Sequence, residues 1–180
     1  MTNQRVADRY AKSLLDLAVE RKQLDVIKGD VDDLLGMTDA SRELEVLLAS
    51  PVVNPTKKKA VMAEILTKSG ADELTQTFVR VLIDKGREVD LVGILHAFVA
   101  QYKVLNKIST VKVTSAKPLD AATLTAIKNQ LVASGKTEAS VDLHTAVDPS
   151  LLGGFVLEFD GKVYDASVAH KLDQIRKEIA

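Results

Sequence analysis

Apolar side chains recur every three or four positions from residue 4 to about residue 105, and from residue 108 onward they alternate. The first period is that of amphipathic helices and the second that of half-buried strands. Helix punctuation divides the first stretch. A helix is expected from about Gln4 to Arg21. A second runs from about Leu24 to Thr38, with Val26, Ile27, Val31, Leu34 and Leu35 as its stripe. A short third one follows Asp39 or Ser41, carries Leu44, Leu47 and Leu48, and stops at Pro51. Asn54-Pro55 reads as an N-cap followed by proline at the first helical position, opening a fourth helix that ends near Gly70. A fifth spans about Asp72 to Lys85, with Gly86 as a left-handed cap. The sixth, about Glu88 to Leu105, places Leu91, Ile94, Leu95, Phe98, Val99 and Tyr102 at bundle spacing. Short connections favour a compact antiparallel bundle.

Two of these helices carry more apolar surface than a simple bundle face needs. At ~100° per residue, the apolar positions of the first (Val6, Ala7, Tyr10, Ala11, Leu14, Leu15, Leu17, Ala18, Val19) cover roughly 220°, and Leu74, Phe78, Val79, Val81, Leu82 and Ile83 of the fifth cover roughly 200°. A surface helix needs an arc only a little over ~100° wide. Val6, Tyr10, Leu14 and Leu17 are expected to face the bundle, leaving Ala7, Ala11, Leu15 and Ala18 in surplus. One reading has both helices buried on two sides. The other has them flank a groove for a partner's amphipathic helix, built from Tyr10, Ala11, Leu14, Ala18, Val79, Leu82 and Ile83.

After Leu105 the elements become strand, helix, strand, hairpin, helix. Ile108–Ser115 alternates with Val111 and Val113 on one face, and a helix of about Asp120 to Ala133 is capped by Asp120 and closed by Gly135. Val141, Leu143, Thr145 and Val147 mark a second strand ending at Asp148-Pro149. Phe155, Leu157 and Phe159 mark a third, and Asp160-Gly161 turns the chain into Lys162-Val163-Tyr164. A last helix starts at about Asp165 or Ser167 and carries Val168, Leu172, Ile175 and Ile179 on one stripe. That stripe reads first as closing the domain's own core, and second as a partner contact. The fold class is therefore α+β in two domains: a six-helix bundle over residues 1–105, then a small α+β domain over 106–180.

Composition narrows the function. Among 180 residues, 24 Lys and Arg stand against 25 Asp and Glu, and aromatics make up 4% with no Trp. A general nucleic-acid or anionic-surface binder needs a positive excess, and single-strand binding needs stacking rings. No cysteine is present, which removes disulfides and thiolate chemistry. No apolar run approaches the ~20 residues of a membrane span. No signal-peptide core follows Met1–Arg5, and Asp8 and Asp16 come too early for a transit peptide, so the chain is expected to stay where it is made, without direct membrane insertion.

Catalytic constellations are missing. His96, His144 and His170 are not at metal-ligand spacing, and the first two read as solvated. Gly154 to Gly161-Lys162 has the wrong spacing for a phosphate loop, with Val163 where Ser or Thr belongs. Asp32-Asp33 lies on polar helix surface. Lys57-Lys58-Lys59 reads as a solvated face rather than a nucleic-acid patch. Gly153-Gly154 reads as a tight turn with close backbone approach, a device that holds shape. No catalytic residue, metal or cofactor is expected.

Three segments resemble one family. Arg9-Tyr10-Ala11-Lys12-Ser13-Leu14-Leu15 is similar to the opening helix of the delta subunit of F-type ATP synthase, the homologue of the mitochondrial oligomycin-sensitivity-conferring protein. Leu82-Ile83-Asp84-Lys85-Gly86-Arg87 resembles the end of that family's fifth helix. Leu152-Gly153-Gly154-Phe155-Val156-Leu157, followed by Asp165-Ala166-Ser167-Val168 and Lys171-Leu172, resembles its C-terminal signature, with Ala166 where many members carry glycine. The resemblance covers essentially the whole chain, and its C-terminal motif is the more specific one.

The resemblance implies a non-catalytic stator subunit, one copy per complex. The N-terminal helix of an alpha subunit would lie against its first and fifth helices, and the C-terminal domain would meet the C-terminal ends of the b subunits, with Val168, Leu172 and Ile175 as the weaker expectation there. Gly153, Gly154, Asp165 and Ser167 would be its structural motif. The implied location is the cytoplasmic side of a bacterial inner membrane, reached through the complex. The competing class is a helical regulatory adaptor with a small ligand-binding α+β domain, which calls for a small-molecule pocket in residues 106–180.

Overall fold

The computed structural model describes residues 4–133, 140–159 and 161–179. The chain divides into two compact units, Met1–Tyr102 and Lys103–Ala180.

The first unit contains α1 (Gln4–Glu20), α2 (Leu24–Ala40), α3 (Arg42–Ala49), α4 (Pro55–Ser69), α5 (Glu73–Asp84) and α6 (Leu91–Leu105), whose last turn passes the division. Polar caps set the starts. Ser41 Oγ accepts from Leu44 N–H, Asn54 Oδ1 from Thr56 N–H at 2.9 Å and Asp72 Oδ1 from Leu74 N–H at 2.8 Å, each satisfying an orphan donor of the first turn. Gly86, at φ +64°, ends α5 in a left-handed turn that lets Arg87 N–H return to Leu82 O at 2.9 Å. Glu88–Asp90 form a 3₁₀ turn where the sequence suggested the start of the sixth helix.

Ile27, Val31 and Leu34 of α2, Leu44 and Leu48 of α3, Met62 and Leu66 of α4, and Leu91, Ile94, Leu95 and Phe98 of α6 join one core with the inner faces of α1 and α5. Val26, expected in the α2 stripe, is exposed instead. Asp30 ties α2 to α5 from within, its Oδ2 accepting from Asp72 N–H at 2.9 Å and from the buried Thr75 hydroxyl at 2.6 Å.

The second unit holds β1 (Ile108–Ser115), α7 (Ala121–Ala133), β2 (Ser140–Val147), β3 (Phe155–Phe159), β4 (Lys162–Asp165) and α8 (Val168–Ile179). The sheet order is β2-β1-β3-β4. β1 and β2 are parallel, with Ile108 opposite Ser140 and Ser115 opposite Val147. Such a pair needs a crossover, and α7 supplies it. The other two pairings are antiparallel. Val111, Val113, Val141, Leu157 and Phe159 pack with Leu131 of α7 to make a second, smaller core. On the opposite face Lys112 shares a row with His144 and Glu158, all three exposed. β2 is buried only at its start, so the expected alternation fades toward Val147. Gly135, Asp160 and the side chain of Ile179 lie outside the described residues.

Candidate partner-binding surfaces

The wide apolar arcs of α1 and α5 are spent largely on the unit's own core. Ala7, Ala11 and Ala18 have no exposed surface, and Leu14 and Leu15 are buried beside them, whereas Leu17 is 38% exposed. The expected assignment of faces holds for Val6 and Leu14, which are buried, and fails for Leu17 and for the residues taken as surplus. The alanine stripe faces inward, where its small side chains let α1 sit close to its neighbours, and the Tyr10–Leu17 margin is the outer edge. On α5, Leu74, Val79, Leu82 and Ile83 are buried, Phe78 is half-buried and Val81 is 41% exposed. Six of the seven residues expected to line a partner groove (Ala11, Leu14, Ala18, Val79, Leu82 and Ile83) therefore sit in the interior, and only Tyr10 is partly open. An arc of 200° does not distinguish a helix packed on two sides from one awaiting a partner, and here internal packing takes most of it.

The open apolar surface that remains on these two helices comprises Tyr10, Leu17 and Val19 on α1 and Phe78 and Val81 on α5. A furrow of about 450 Å³ does border α5, but its other bank is α4: Ala60, Ala63 and Leu66 face Thr77, Val79 and Ile83, with Arg80 and Lys59 at its edges.

The lysine triplet corrects the sequence reading at one position. Lys57 is exposed, but Lys58 is only 2% exposed. Its ammonium donates to Leu48 O and to Glu88 Oε1, both at 2.8 Å, stapling the end of α3 and the 3₁₀ turn to the start of α4. A buried lysine persists because it is paired and hydrogen-bonded. Lys59 pairs with Asp84 nearer the surface. Lys58 is structural, and the periodicity gave no sign of that, because the cue is a long-range acid at Glu88.

In the second unit the Gly153-Gly154 and Asp165-Ser167 motifs come together as one joint. Ala166 N–H donates to Phe155 O and Val168 N–H to Gly153 O, both at 3.0 Å. Gly154 has φ +73°, and a Cβ there would lie 2.3 Å from Ala166 O; a Cβ on Gly153 would meet Val168 Cγ2 at 3.0 Å. Only glycine permits this crossing. Asp165 Oδ1 accepts from Ser167 N–H at 2.8 Å, and the buried Ser167 hydroxyl caps α8 through His170 N–H at 3.1 Å. The hydrogen bonds from Ser167, with His170 nearby, hold the Asp165 carboxyl below its ordinary pKa.

Beyond this pinned root, α8 buries none of its described side chains. Val168, Leu172 and Ile175 are 42%, 52% and 51% exposed. The preferred expectation, that this stripe closes the domain's own core, is corrected: that core is closed by α7 instead. A groove of about 270 Å³ also opens between α7 and the hairpin, lined by Ile127, Gln130, Leu131, Phe155, Leu157, Phe159 and Tyr164, with no charged group in its wall. Among the described residues no group of three His, Cys, Asp or Glu could hold a metal, and no helix is long and apolar enough to cross a membrane.

A family described as ATP synthase delta (OSCP) subunit matches residues 6–179. The chain belongs to the ATP synthase delta (OSCP) subunit family. It is 34% identical over 169 residues to the ATP synthase subunit delta of Caulobacter sp. (strain K31), covering 93% of this chain and 90% of that one. It is 32% identical over 183 residues to the same subunit of Christiangramia forsetii, covering 99% and 95%. Its fold matches a chain in the cryo-EM structure of the Toxoplasma gondii mitochondrial ATP synthase hexamer, with a TM-score of 0.73, 25% identity and 96% of both chains covered. The chain is accordingly a structural, non-catalytic subunit of the peripheral stalk of an F-type ATP synthase, and its association with the membrane is through that complex. Membership in the delta (OSCP) family decides against the adaptor reading.

Proposed function

We propose that this subunit is a two-ended clamp. The helical bundle of residues 1–105 grips the N-terminal helix of an alpha subunit on the F1 head, and residues 106–180 hold the C-terminal ends of the b subunits. One copy per complex, on the cytoplasmic side of the bacterial inner membrane, keeps the head from turning with the rotor, so that proton flow is coupled to ATP synthesis.

The observation that carries this reading is that each unit closes its own core and still leaves apolar side chains uncovered on a helix: Tyr10, Leu17, Phe78 and Val81 in the first, Val168, Leu172 and Ile175 in the second. A standard interface takes about 800 Å² from each partner and draws most of its affinity from a few such residues. The six buried groove candidates then act from behind, setting the spacing of α1 and α5, while the margin makes the contact.

The test is titration of the full chain with a peptide of the alpha N-terminus, followed by circular dichroism. Leu17→Asp and Val81→Asp should each weaken binding about tenfold with helicity retained. Ala11→Asp and Val79→Asp should lose helicity, because both put a carboxylate into a sealed core. Unchanged affinity in both margin variants would remove this docking face from consideration. Co-purification of the chain with the head and with b tests the two ends together.

A further inference from the structure

Leu152 breaks two local rules at once. Its φ is +61°, a region that L-residues other than Asn and Asp rarely occupy, and its side chain is 69% exposed. Folding alone favours glycine or asparagine there, and single exposed leucines are ordinarily found in relaxed backbone. Strain retained at a surface position points to a use.

The position is fixed by its surroundings. Asp148 N–H donates to Ser115 O at 2.8 Å, anchoring the Pro149–Leu151 turn to the end of β1. Asp148 Oδ1 caps that turn through Ser150 N–H, and Leu152 N–H closes it on Pro149 O at 3.1 Å. The next residue, Gly153, accepts from Val168 N–H and lies against the Val168 side chain. Leu152 thus stands at the root of α8, where the exposed stripe begins.

We infer that Leu152, Val168, Leu172 and Ile175 form one docking patch for an amphipathic helix whose apolar strip is bordered by acidic residues. The inference rests on the reading above that this unit meets the b subunits, and it assigns Leu152 as an anchor of that contact. At 100° per residue the three α8 positions fall within roughly 60°, with Lys171 about 40° beyond one edge and Arg176 about 40° beyond the other. Asp173 lies past Arg176 and is engaged by Arg176 and Lys177 at 2.6 and 2.7 Å. The nearest charged residue on each border is cationic, with Asp173 and Glu178 further round the helix, and this favours an acidic-edged helix over a second copy of this patch, which would set like charges together.

The experiment titrates the full chain with the soluble extramembrane segment of its own b subunit. Leu152→Gly removes the side chain and relieves the backbone together. It should keep or raise the thermal midpoint while weakening b binding about tenfold. Lys171→Glu, on the surface, should weaken binding about threefold with the fold unchanged, and more steeply at low salt. Wild-type binding combined with wild-type affinity in Leu152→Gly overturns the assignment of Leu152. Should Leu152→Gly lower the midpoint, Leu172→Asp and Lys171→Glu decide, and full affinity in both overturns the patch. A wild-type chain that binds the head but not the b segment overturns the reading of the partner itself, and with it this inference.

Discussion

Among the described residues, the core of the first unit gathers twenty-two buried apolar side chains from its six helices and the α4–α5 link, and that of the second gathers six from three strands and one helix. The first unit is held by packing depth, and its polar staples (Lys58 with Glu88, Asp30 with Thr75) lie inside that packing. The second is held by joints: a glycine crossing, capped turns and a strand ladder around a thin core. A deep core tolerates an apolar margin as a spare surface. A thin core that leaves the apolar stripe of α8 exposed has less packing of its own to hold that helix. In the proposed clamp, the first unit would then serve as a platform and the second as a receptor whose α8 is covered on binding.

The largest effect expected is at Lys58. Lys58→Ala leaves the Glu88 carboxylate buried without its cation and should cost about 3–5 kcal/mol in denaturant unfolding of the first unit. Lys59→Ala, at a more exposed pair, should cost less than about 1 kcal/mol. Equal costs would mean that the staple is no deeper than the surface pair.

Next comes the glycine crossing. Gly154→Val forces both a disfavoured φ and a backbone clash, and should destabilise the second unit by about 3 kcal/mol, with amide exchange rising across β3, β4 and α8 but not in α1–α6. Gly153→Ala meets only a valine methyl and should cost clearly less. Smaller still is Leu172→Asp. If α8 is uncovered in the free chain, this change should move stability by no more than about 0.5 kcal/mol. A loss several times larger would mean that the stripe is core after all, and that the two units are closed alike.

These contrasts also separate what the chain pattern reveals from what it hides. Element positions were legible because their cues are local: Asn54-Pro55 and Asp72 open helices, Gly70 and Gly86 close them, and the switch of period after Leu105 marks the strands. Facing was not. The same repeat of Ala7, Ala11 and Ala18 serves an inward seam or a partner groove, and only neighbouring helices decide between them. Lys58 looked like one of three surface lysines because Glu88 is thirty residues away. The parallel pairing of β1 with β2 left no local trace, since it depends on where α7 returns the chain. The joint at Gly153-Gly154 was readable as a close approach, but what it approaches, Ala166 at the root of α8, was not. The positive φ of Leu152 leaves no mark in the sequence, because a leucine beside two glycines resembles ordinary strand entry.

The finest distinction between the units is in acid. Three turns of the second unit rest on capping carboxylates, Asp120, Asp148 and Asp165, and hydrogen bonds from Thr123, Ser150 and Ser167 respectively hold each below its ordinary pKa. A carboxylate whose pKa falls on folding adds stability above its unfolded value, about 3.9, and that stability drains as pH drops through the folded value. All three groups are at the surface, so each effect is small and screened by salt. The second unit should therefore loosen first between about pH 4 and the lower folded values, seen as exchange in α7 and α8 while α1–α6 stay protected. Asp165→Asn keeps an acceptor for Ser167 N–H but removes the charge. It should lower stability slightly at neutral pH and flatten the acid limb for α8 alone. An acid limb equally steep in the variant would place the sensitivity elsewhere than in the joint.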